Sequence, residues 1–172
     1  MSCLVIVEHD NLNLKLTTLN TISAASKINA EIDLLVVGFN CDKVSVLAAR
    51  ISGISRVQVV DSEEYANQLP ENVAPLVASL SRAYSHIFAP ANTFGKNLMP
   101  RVSAIMDVQQ ISDITTIISD STFERPIYAG NAIATVRSSD LVKVLTVRTT
   151  AFEAMPFGNN TDAPIVCLNA MG

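Results

Sequence analysis

The sequence predicts a Rossmann-like α/β fold, a three-layer sandwich whose mainly parallel sheet lies between two layers of helices. Short, continuous apolar runs recur along the first hundred residues, as in strands buried on both faces. Stretches with helical spacing separate these runs, which indicates right-handed crossovers between parallel strands. After residue 110, strand-like runs alternate with turn residues and show no helical spacing. We therefore expect a C-terminal antiparallel β-meander that extends the sheet.

Four strand–helix units account for the first part of the chain. The expected strands are Cys3–Val7, Ile32–Phe39, Val57–Val60 and His86–Ala89. The helices between them have apolar faces running from Leu16 to Ile28, from Val44 to Ile51 and from Val73 to Tyr84. Asn40 or Asp42 is expected to cap the second helix, Gly53 to end it in a left-handed conformation, and Pro70 to begin the third.

The fourth helix follows the polar corner Asn92-Thr93 and contains Pro100. An interior proline removes a backbone hydrogen bond and costs about 3 kcal/mol. The sequence therefore predicts that this helix starts late, near Asn97, or is kinked.

The last third of the chain predicts four more strands and a tail. The strands are Ile114–Ile118, Pro126–Tyr128, Ala132–Arg137 and Val142–Val147. Residues 1–154 form one domain, and residues 155–172 form a linker or tail with a possible short strand at Pro164–Leu168.

Composition excludes several classes of protein. The chain of 172 residues has a net charge of −4 and no run of basic residues, which argues against nucleic-acid binding. Hydrophobic residues make up 49% and charged residues 16%, so we expect a partner to cover part of the surface. The cysteines Cys3, Cys41 and Cys167 are too far apart in sequence to suggest a metal site or a disulfide framework.

Membrane and targeting segments are not expected either. No apolar run approaches the roughly 18 residues of a membrane span. A strand is expected from Cys3, which leaves no room for a signal or transit peptide. Reduced thiols in an intracellular compartment are the expectation.

The segment from His86 to Arg101 is the strongest candidate for a binding site. Open α/β sheets place ligands where strands run into helices, because unpaired N–H groups are available there. Thr93 lies at this corner, Gly95 permits close approach of the backbone, and Lys96 and Arg101 add two cations. An ordinary solvated helix end explains the same residues.

Other polar residues follow the strands. Asp10 and Asp61 are expected beside Thr93 at the carboxyl ends, which makes a crevice but no recognisable active site. His9 reads as a solvated loop histidine rather than a site residue, and His86 as a structural one at the opposite end of the sheet.

Catalytic and nucleotide-binding motifs are missing from the sequence. The loop after the first strand contains no glycine, so it carries no GxGxxG fingerprint, and the chain has no P-loop. No nucleophile is paired with a base. The residues therefore predict a nucleotide-binding type of fold without its binding loops.

Three segments together resemble one known family. They read VIVEHDN, then PANTFGKNLMPRVSAIMDVQQISDI, then FERPIYAGNAIATVRSSDLVKVLTVRTTAFEA. This set is similar to the amino-terminal domain of the electron transfer flavoprotein alpha subunit, from Met1 to about Ala154. The resemblance implies an adenine nucleotide alpha hydrolase-like fold and a fragment of a subunit about twice as long.

The resemblance also implies function, cofactors and partners. The whole flavoprotein is an electron carrier of fatty acid β-oxidation and respiration, not an enzyme, which takes electrons from acyl-CoA and related dehydrogenases and passes them to a membrane quinone oxidoreductase. FAD is held by the second domain, which this chain lacks, and AMP by the beta subunit of the heterodimer. We therefore expect no cofactor in this chain, and a cytoplasmic location in a bacterium or a mitochondrial matrix location without a transit peptide.

No FAD-contacting residue carries over to this sequence. The matching residues are assigned to architecture and subunit contact: Thr93, Gly95, Lys96, Arg101, Asp113, Asn131 and Arg137. The scaffold role has one alternative, a free-standing nucleotide-binding module of the universal-stress type, which would need a glycine-rich phosphate loop near the fourth unit. We further expect Arg101 to clamp its helix to Asp10, to Asp61 or to the carbonyls of the 129–131 turn.

Overall fold

The computed structural model describes residues 1–158 and 162–170. Its elements alternate through the first 106 residues as expected. They are β1 (Ser2–Ile6), α1 (Leu16–Ser26), β2 (Glu31–Gly38), α2 (Asp42–Ala49), β3 (Arg56–Asp61), α3 (Pro70–Leu80), β4 (His86–Pro90) and α4 (Thr93–Met106). The later elements are β5 (Gln110–Ile114), β6 (Thr116–Ile117), β7 (Thr122–Ile127), β8 (Ala132–Arg137), β9 (Lys143–Val147) and β10 (Ile165–Cys167).

Seven strands form one sheet in the order β10-β3-β2-β1-β4-β9-β5. Every neighbouring pair in this sheet is parallel. The remaining strands form a second, antiparallel sheet in the order β6-β7-β8, which we call the small sheet. The Rossmann-like three-layer fold with a C-terminal antiparallel meander is confirmed.

The expectation that the meander extends the main sheet is wrong. The run at Val142–Val147 contributes β9, which inserts between β4 and β5 as a parallel strand. The run expected as the single strand Ile114–Ile118 is divided, because β5 ends at Ile114 and β6 begins at Thr116. Asp113 has a φ of 61° beside a shift in register, and this bulge turns the chain away from the main sheet.

Two apolar cores lie on the two faces of the main sheet. On one face, α1 and α2 pack over β1, β2 and β3, and Phe123 of the small sheet joins the same cluster. On the other face, α3 and α4 pack over Leu4, Leu35 and Ile87. The small sheet therefore covers the face that carries α1, where no helix follows β5.

Helix α4 begins earlier than the sequence predicts. The side chain of Asn92 accepts a hydrogen bond from the backbone N–H of Gly95 at 3.3 Å, so the helix starts at Thr93 and not near Asn97. Helical backbone continues across Pro100 to Met106. The cap fixes the start, and the packed face of Leu98, Met99 and Val102 holds the helix through the proline.

The other helix ends follow local chemistry. Pro70 is the first residue of α3, as expected. Gly53 has the expected left-handed φ of 78°, but it does not end α2, which stops at Ala49 with Arg50 as its right-handed C-cap. Neither Asn40 nor Asp42 caps α2. The Asp61 carboxylate at the end of β3 does so, accepting from the N–H groups of Asn40 at 2.9 Å and Cys41 at 2.8 Å.

The expected tail strand is present. Ile165–Cys167 pairs in parallel with β3 and forms one edge of the main sheet. The tail residues Asn159 and Asn160, and Gly172 at the end of the sequence, lie outside the described residues. None of the helices in the described ranges combines the length and the hydropathy that crossing a membrane requires.

Candidate functional site

The carboxyl edge between β1 and β4 is where a Rossmann-like sheet would bind a ligand, because chain connections diverge there. In this protein, side chains fill that position. The Glu8 carboxylate accepts hydrogen bonds from Asn92 Nδ2 at 2.6 Å and from Thr17 Oγ1 at 2.5 Å. Asn92 also caps α4 through Gly95. One chain of contacts thus joins the exit of β1 to the start of α4.

His9 is buried in the same loop, so its assignment as a solvated histidine is wrong. Its Nδ1 accepts from the N–H of Asn11 at 3.0 Å and lies 3.1 Å from Nε2 of Gln68. Burial lowers its pKa to about 4, against a smaller opposing effect of a hydrogen bond with the backbone of Val37. Gln68 lies 59 positions away in sequence, so no local pattern could have indicated this burial.

The carboxylates of Asp10 and Asp61 accept hydrogen bonds from nearby backbone N–H groups and do not meet in a shared crevice. Asp10 accepts from the N–H groups of Asn13 at 2.7 Å and Leu12 at 3.0 Å, which hold the pKa of its carboxyl well below the usual range. Burial raises the pKa of Asp61, but the hydrogen bonds from Cys41 and Asn40 outweigh it and leave the pKa below its ordinary value.

Gly95 permits a close approach of the backbone, but the group that it approaches is another part of the same chain and not a ligand. A Cβ atom at this position would lie 1.9 Å from the carbonyl oxygen of Pro90. The glycine therefore lets the first turn of α4 pack against the end of β4. Thr93 and Lys96 are exposed on the solvent side of that turn.

The clamp expected of Arg101 is wrong. Its Nη2 donates to Oε1 of Glu71 on α3 at 2.8 Å, and both side chains are about half exposed. Glu71 lies in the first turn of α3, and α3 packs beside α4, so this surface carboxylate is within reach of Arg101. Arg101 therefore makes a surface ion pair and does not hold the meander.

Asp113 is the candidate with the most specific contacts. Arg148, which follows β9, donates to both of its carboxylate oxygens, from Nε at 3.2 Å and from Nη2 at 2.5 Å. The N–H of Asp113 donates to Oγ1 of Thr146 at 2.9 Å. These contacts hold Asp113 at the bulge that separates the two sheets.

Asn131 and Arg137 bound β8 at its two ends. The N–H of Asn131 donates to the carbonyl of Tyr128 at 3.1 Å and closes the β7–β8 turn. Arg137 is exposed and pairs in register with Thr122. The seven candidates therefore lie at separate places, namely the start and middle of α4, the end of β5, and the two ends of β8.

The tip of the β7–β8 hairpin combines unusual backbone torsion angles with exposed apolar side chains. Tyr128, Ala129 and Gly130 have successive φ values of 50°, 53° and 90°. Tyr128 is 80% exposed and Ile133 is 58% exposed. Conformations with positive φ are unfavourable in residues other than glycine, so the backbone of Tyr128 and Ala129 lowers the stability of the fold. Large exposed apolar side chains of this kind are typical of contact surfaces.

The carboxyl edge carries the negative charge of the Glu8 carboxylate, which opposes a phosphate, and the first turn of α4 already has a side-chain cap from Asn92. Across the described ranges 1–158 and 162–170, no three His, Cys, Asp or Glu side chains are grouped closely enough to hold a metal ion.

The fold and its carboxyl edge together define a Rossmann-like α/β domain in which Glu8, Thr17 and Asn92 connect the exit of β1 to α1 and α4. The family model of the electron transfer flavoprotein domain matches residues 3–170. The chain belongs to the electron transfer flavoprotein family.

Similar proteins carry the name of one subunit. The chain is 57% identical over 155 residues to electron transfer flavoprotein subunit alpha of Pseudomonas aeruginosa, covering 90% of this chain and 50% of that protein. It is 47% identical over 176 residues to the mitochondrial subunit alpha of Dictyostelium discoideum, covering 98% and 49%. The Bradyrhizobium diazoefficiens subunit alpha is 43% identical over 170 residues, with 99% and 54% covered. The chain thus spans about half the length of these curated relatives.

Proposed function

We propose that this chain is the scaffold part of an alpha-type subunit of an electron transfer flavoprotein. Within the whole protein, that subunit would carry electrons from acyl-CoA and related dehydrogenases to a quinone oxidoreductase of the respiratory chain. The observation that carries the proposal is the 57% identity, over 90% of this chain, to a protein named as subunit alpha. A cytoplasmic location in a bacterium, or the mitochondrial matrix in a eukaryote, accords with the bacterial and mitochondrial relatives.

The flavin would be held outside this chain. The relatives extend to about twice the matched length, which leaves room for a flavin domain, and AMP would belong to the beta subunit. The edge between β1 and β4 supports this division, because the negative charge of the Glu8 carboxylate there opposes a phosphate. The alternative of a free-standing nucleotide-binding module needs a glycine-rich loop, but Gly95 packs against Pro90 and no other glycine lies between Pro90 and Met106.

The small sheet would form part of the contact with the beta subunit. Tyr128 and Ile133 expose apolar area at the hairpin tip, and Asn131 and Arg137 supply polar groups at the ends of β8. Aromatic anchors on a fixed backbone lose little conformational entropy on binding. Of the seven candidates, Asn131 and Arg137 are thus proposed as contact residues.

Co-purification with the beta subunit from the same organism tests this proposal. The chain, carrying an affinity tag, is expected to retain the beta subunit on the resin. The double variant Tyr128→Ser, Ile133→Ser is expected to weaken binding at least tenfold, since it removes two apolar anchors.

Leu141→Ser is the matched control. Leu141 is 92% exposed but adjoins Val142, which packs on the opposite face of the main sheet, so this variant should bind as the unaltered chain does. Equal binding by all three proteins would reject the small sheet as the contact. Absence of binding by the unaltered chain would reject its role as a scaffold for the beta subunit.

A further inference from the structure

A groove lies beside the C-terminal ends of α3 and α4, on the face of the main sheet that carries these two helices. Its larger part has a volume of about 800 Å³, and a smaller part of about 480 Å³ shares Arg82, Leu141 and Val142 with it. Apolar side chains form most of the wall of the larger part, namely Pro75, Ala78, Ile105, Met106, Val108 and Leu141. A concavity of this size with mostly apolar walls is typical of a ligand site.

The serine hydroxyls along this groove are already engaged within the chain. Oγ of Ser79 and Oγ of Ser81 each donate to the backbone carbonyl three positions earlier, at 2.7 Å and 2.6 Å. Oγ of Ser2 donates to the carbonyl of Ala83 at 2.8 Å, and Oγ of Ser85 donates to the carbonyl of Ser2 at 3.0 Å. A hydroxyl has one hydrogen, so these groups cannot donate to a ligand without breaking a bond that they now make. A sugar or a nucleotide, which needs several polar partners, therefore does not suit the groove.

Arg82 differs from these serines because its hydrogen-bond donors are free. Its side chain is exposed and lines both parts of the groove. Within residues 1–158 and 162–170, no carboxylate forms an ion pair with its guanidinium. Asp140, which precedes Leu141 in the sequence, instead accepts a hydrogen bond from the N–H of Gln109 at 2.9 Å. The groove thus has one uncompensated positive charge beside an apolar surface.

We propose that this groove binds an unbranched aliphatic monocarboxylate. The carboxylate pairs with the guanidinium of Arg82, which offers two parallel N–H donors, and the hydrocarbon chain lies against Ile105 and Leu141. These two side chains are 54% and 92% exposed, so the ligand covers apolar area that the fold leaves in water. Charge complementarity selects a carboxylate, because one cation balances its single charge, whereas a phosphate group would keep part of its larger charge unpaired.

Calorimetric titration of the chain with sodium decanoate, below the concentration at which it forms micelles, tests the proposal. We expect saturable binding of one decanoate per chain. Octanoate is expected to bind more weakly, by up to about fourfold for each methylene removed, because each buried methylene adds to the affinity. Decanol has a chain of the same length without the charge and is expected to bind about tenfold more weakly than decanoate.

Two variants separate the charge from the apolar wall, and both replace exposed side chains. Arg82→Gln should weaken decanoate binding about tenfold and leave decanol binding nearly unchanged, because it removes only the cation. Ile105→Gln should weaken the binding of both ligands, because it removes apolar surface. Arg50→Gln is the matched control. It removes the same charge at the end of α2, on the opposite face of the main sheet, and should bind decanoate as the unaltered chain does.

Three results of the titrations would overturn the proposal: no saturable binding of decanoate, binding of many molecules per chain, or equal affinities of the unaltered chain and Arg82→Gln. A second copy of the chain is the competing occupant of the groove. A dimer detected by light scattering that Ile105→Gln converts to a monomer would assign the groove to that second copy and reject the ligand. The titrations use the chain alone, so their outcome is independent of the proposed contact with the beta subunit.

Discussion

Arg148 binds both carboxylate oxygens of Asp113 across 35 positions of sequence. The pair connects the end of β9 to the bulge of β5, and Asp113 adopts a φ of 61° there. The same residue therefore meets two demands, a charge for Arg148 and a left-handed backbone, which Asp and Asn adopt more readily than most residues.

Comparing two substitutions at Asp113 separates these demands. Asp113→Gly and Asp113→Ala both remove every acceptor for Arg148, but alanine adopts a positive φ less readily than glycine. We expect the alanine variant to have a free energy of unfolding lower than that of the glycine variant by about 1 kcal/mol. Urea denaturation measures the difference, and equal midpoints would mean that the backbone conformation is not strained.

Tyr84→Phe is expected to destabilise the protein by about 2 kcal/mol, because a buried carboxylate loses a charge-assisted donor. The hydroxyl of Tyr84 donates to Oδ2 of Asp33 at 2.6 Å, and Asp33 also accepts from Arg56 and Gln58. Tyr128→Phe at the exposed hairpin tip is the matched control and should leave the unfolding midpoint unchanged. A similar small shift in both variants would contradict the role of the hydroxyl.

The same tyrosine predicts a loss of stability in alkaline solution. Burial raises the pKa of Tyr84 to about 12, and the hydrogen bond with Asp33 adds to the shift. Since the folded pKa exceeds the unfolded value of about 10, the stabilisation is complete below pH 10 and is lost as the pH rises toward 12. Thermal melts of the unaltered chain should show this decline, and Tyr84→Phe should lack that part of it.

Gly95→Ala should destabilise the protein by about 3 kcal/mol, although alanine favours helices by about 1 kcal/mol over glycine. The new Cβ would meet the carbonyl of Pro90 at 1.9 Å, so β4 and α4 must move apart. Gly158→Ala is the control, since its nearest contacts lie at an ordinary 3.6 Å. A melting temperature unchanged in both variants would show that the first turn of α4 shifts freely.

Arg101→Lys is expected to change the free energy of unfolding by less than about 0.5 kcal/mol. Arg101 and Glu71 form an exposed pair, and lysine retains the charge. Urea denaturation measures the change. A free energy of unfolding lowered by more than this amount would indicate a buried partner for the guanidinium.

The purified chain is expected to be colourless and to bind neither FAD nor AMP with useful affinity. The reason is the edge between β1 and β4, where the negative charge of the Glu8 carboxylate opposes a phosphate. Absorbance after gel filtration with added FAD, and calorimetric titration with AMP, measure the two affinities. A flavin absorption band that travels with the protein would refute this expectation.

Sequence patterns locate β1 to β4, because strands buried on both faces are continuous apolar runs. The pattern also gives the observed bounds of β8, Ala132–Arg137, but it misses most of β5 and β7, which are only partly buried. The division of the meander from the main sheet could not be predicted, since the bulge at Asp113 depends on Arg148 and Thr146. The early start of α4 has a local signal in the sequence, namely a capping Asn92 three positions before Gly95.

The candidate site was predicted less well. Asp10, Asp61 and Thr93 follow the expected strands, but local turns and helix ends consume the hydrogen-bonding capacity of both carboxylates. Sequence spacing placed the residues along one edge and carried no information about which partners each would find. The partners of His9 and Arg101 lie on other elements, so tertiary packing decides their roles.

The insertion of β9 between β4 and β5 constrains the order in which this chain can assemble during synthesis. Within the described residues, β5 has no neighbour in the main sheet except β9, which leaves the ribosome some thirty residues later. Until then β5 has no strand of the main sheet to pair with, and the edge of β4 that β9 later covers has unpaired N–H and C=O groups. Loop closure over this distance slows folding, so the open edge of β4 is available for pairing with other chains until β9 emerges.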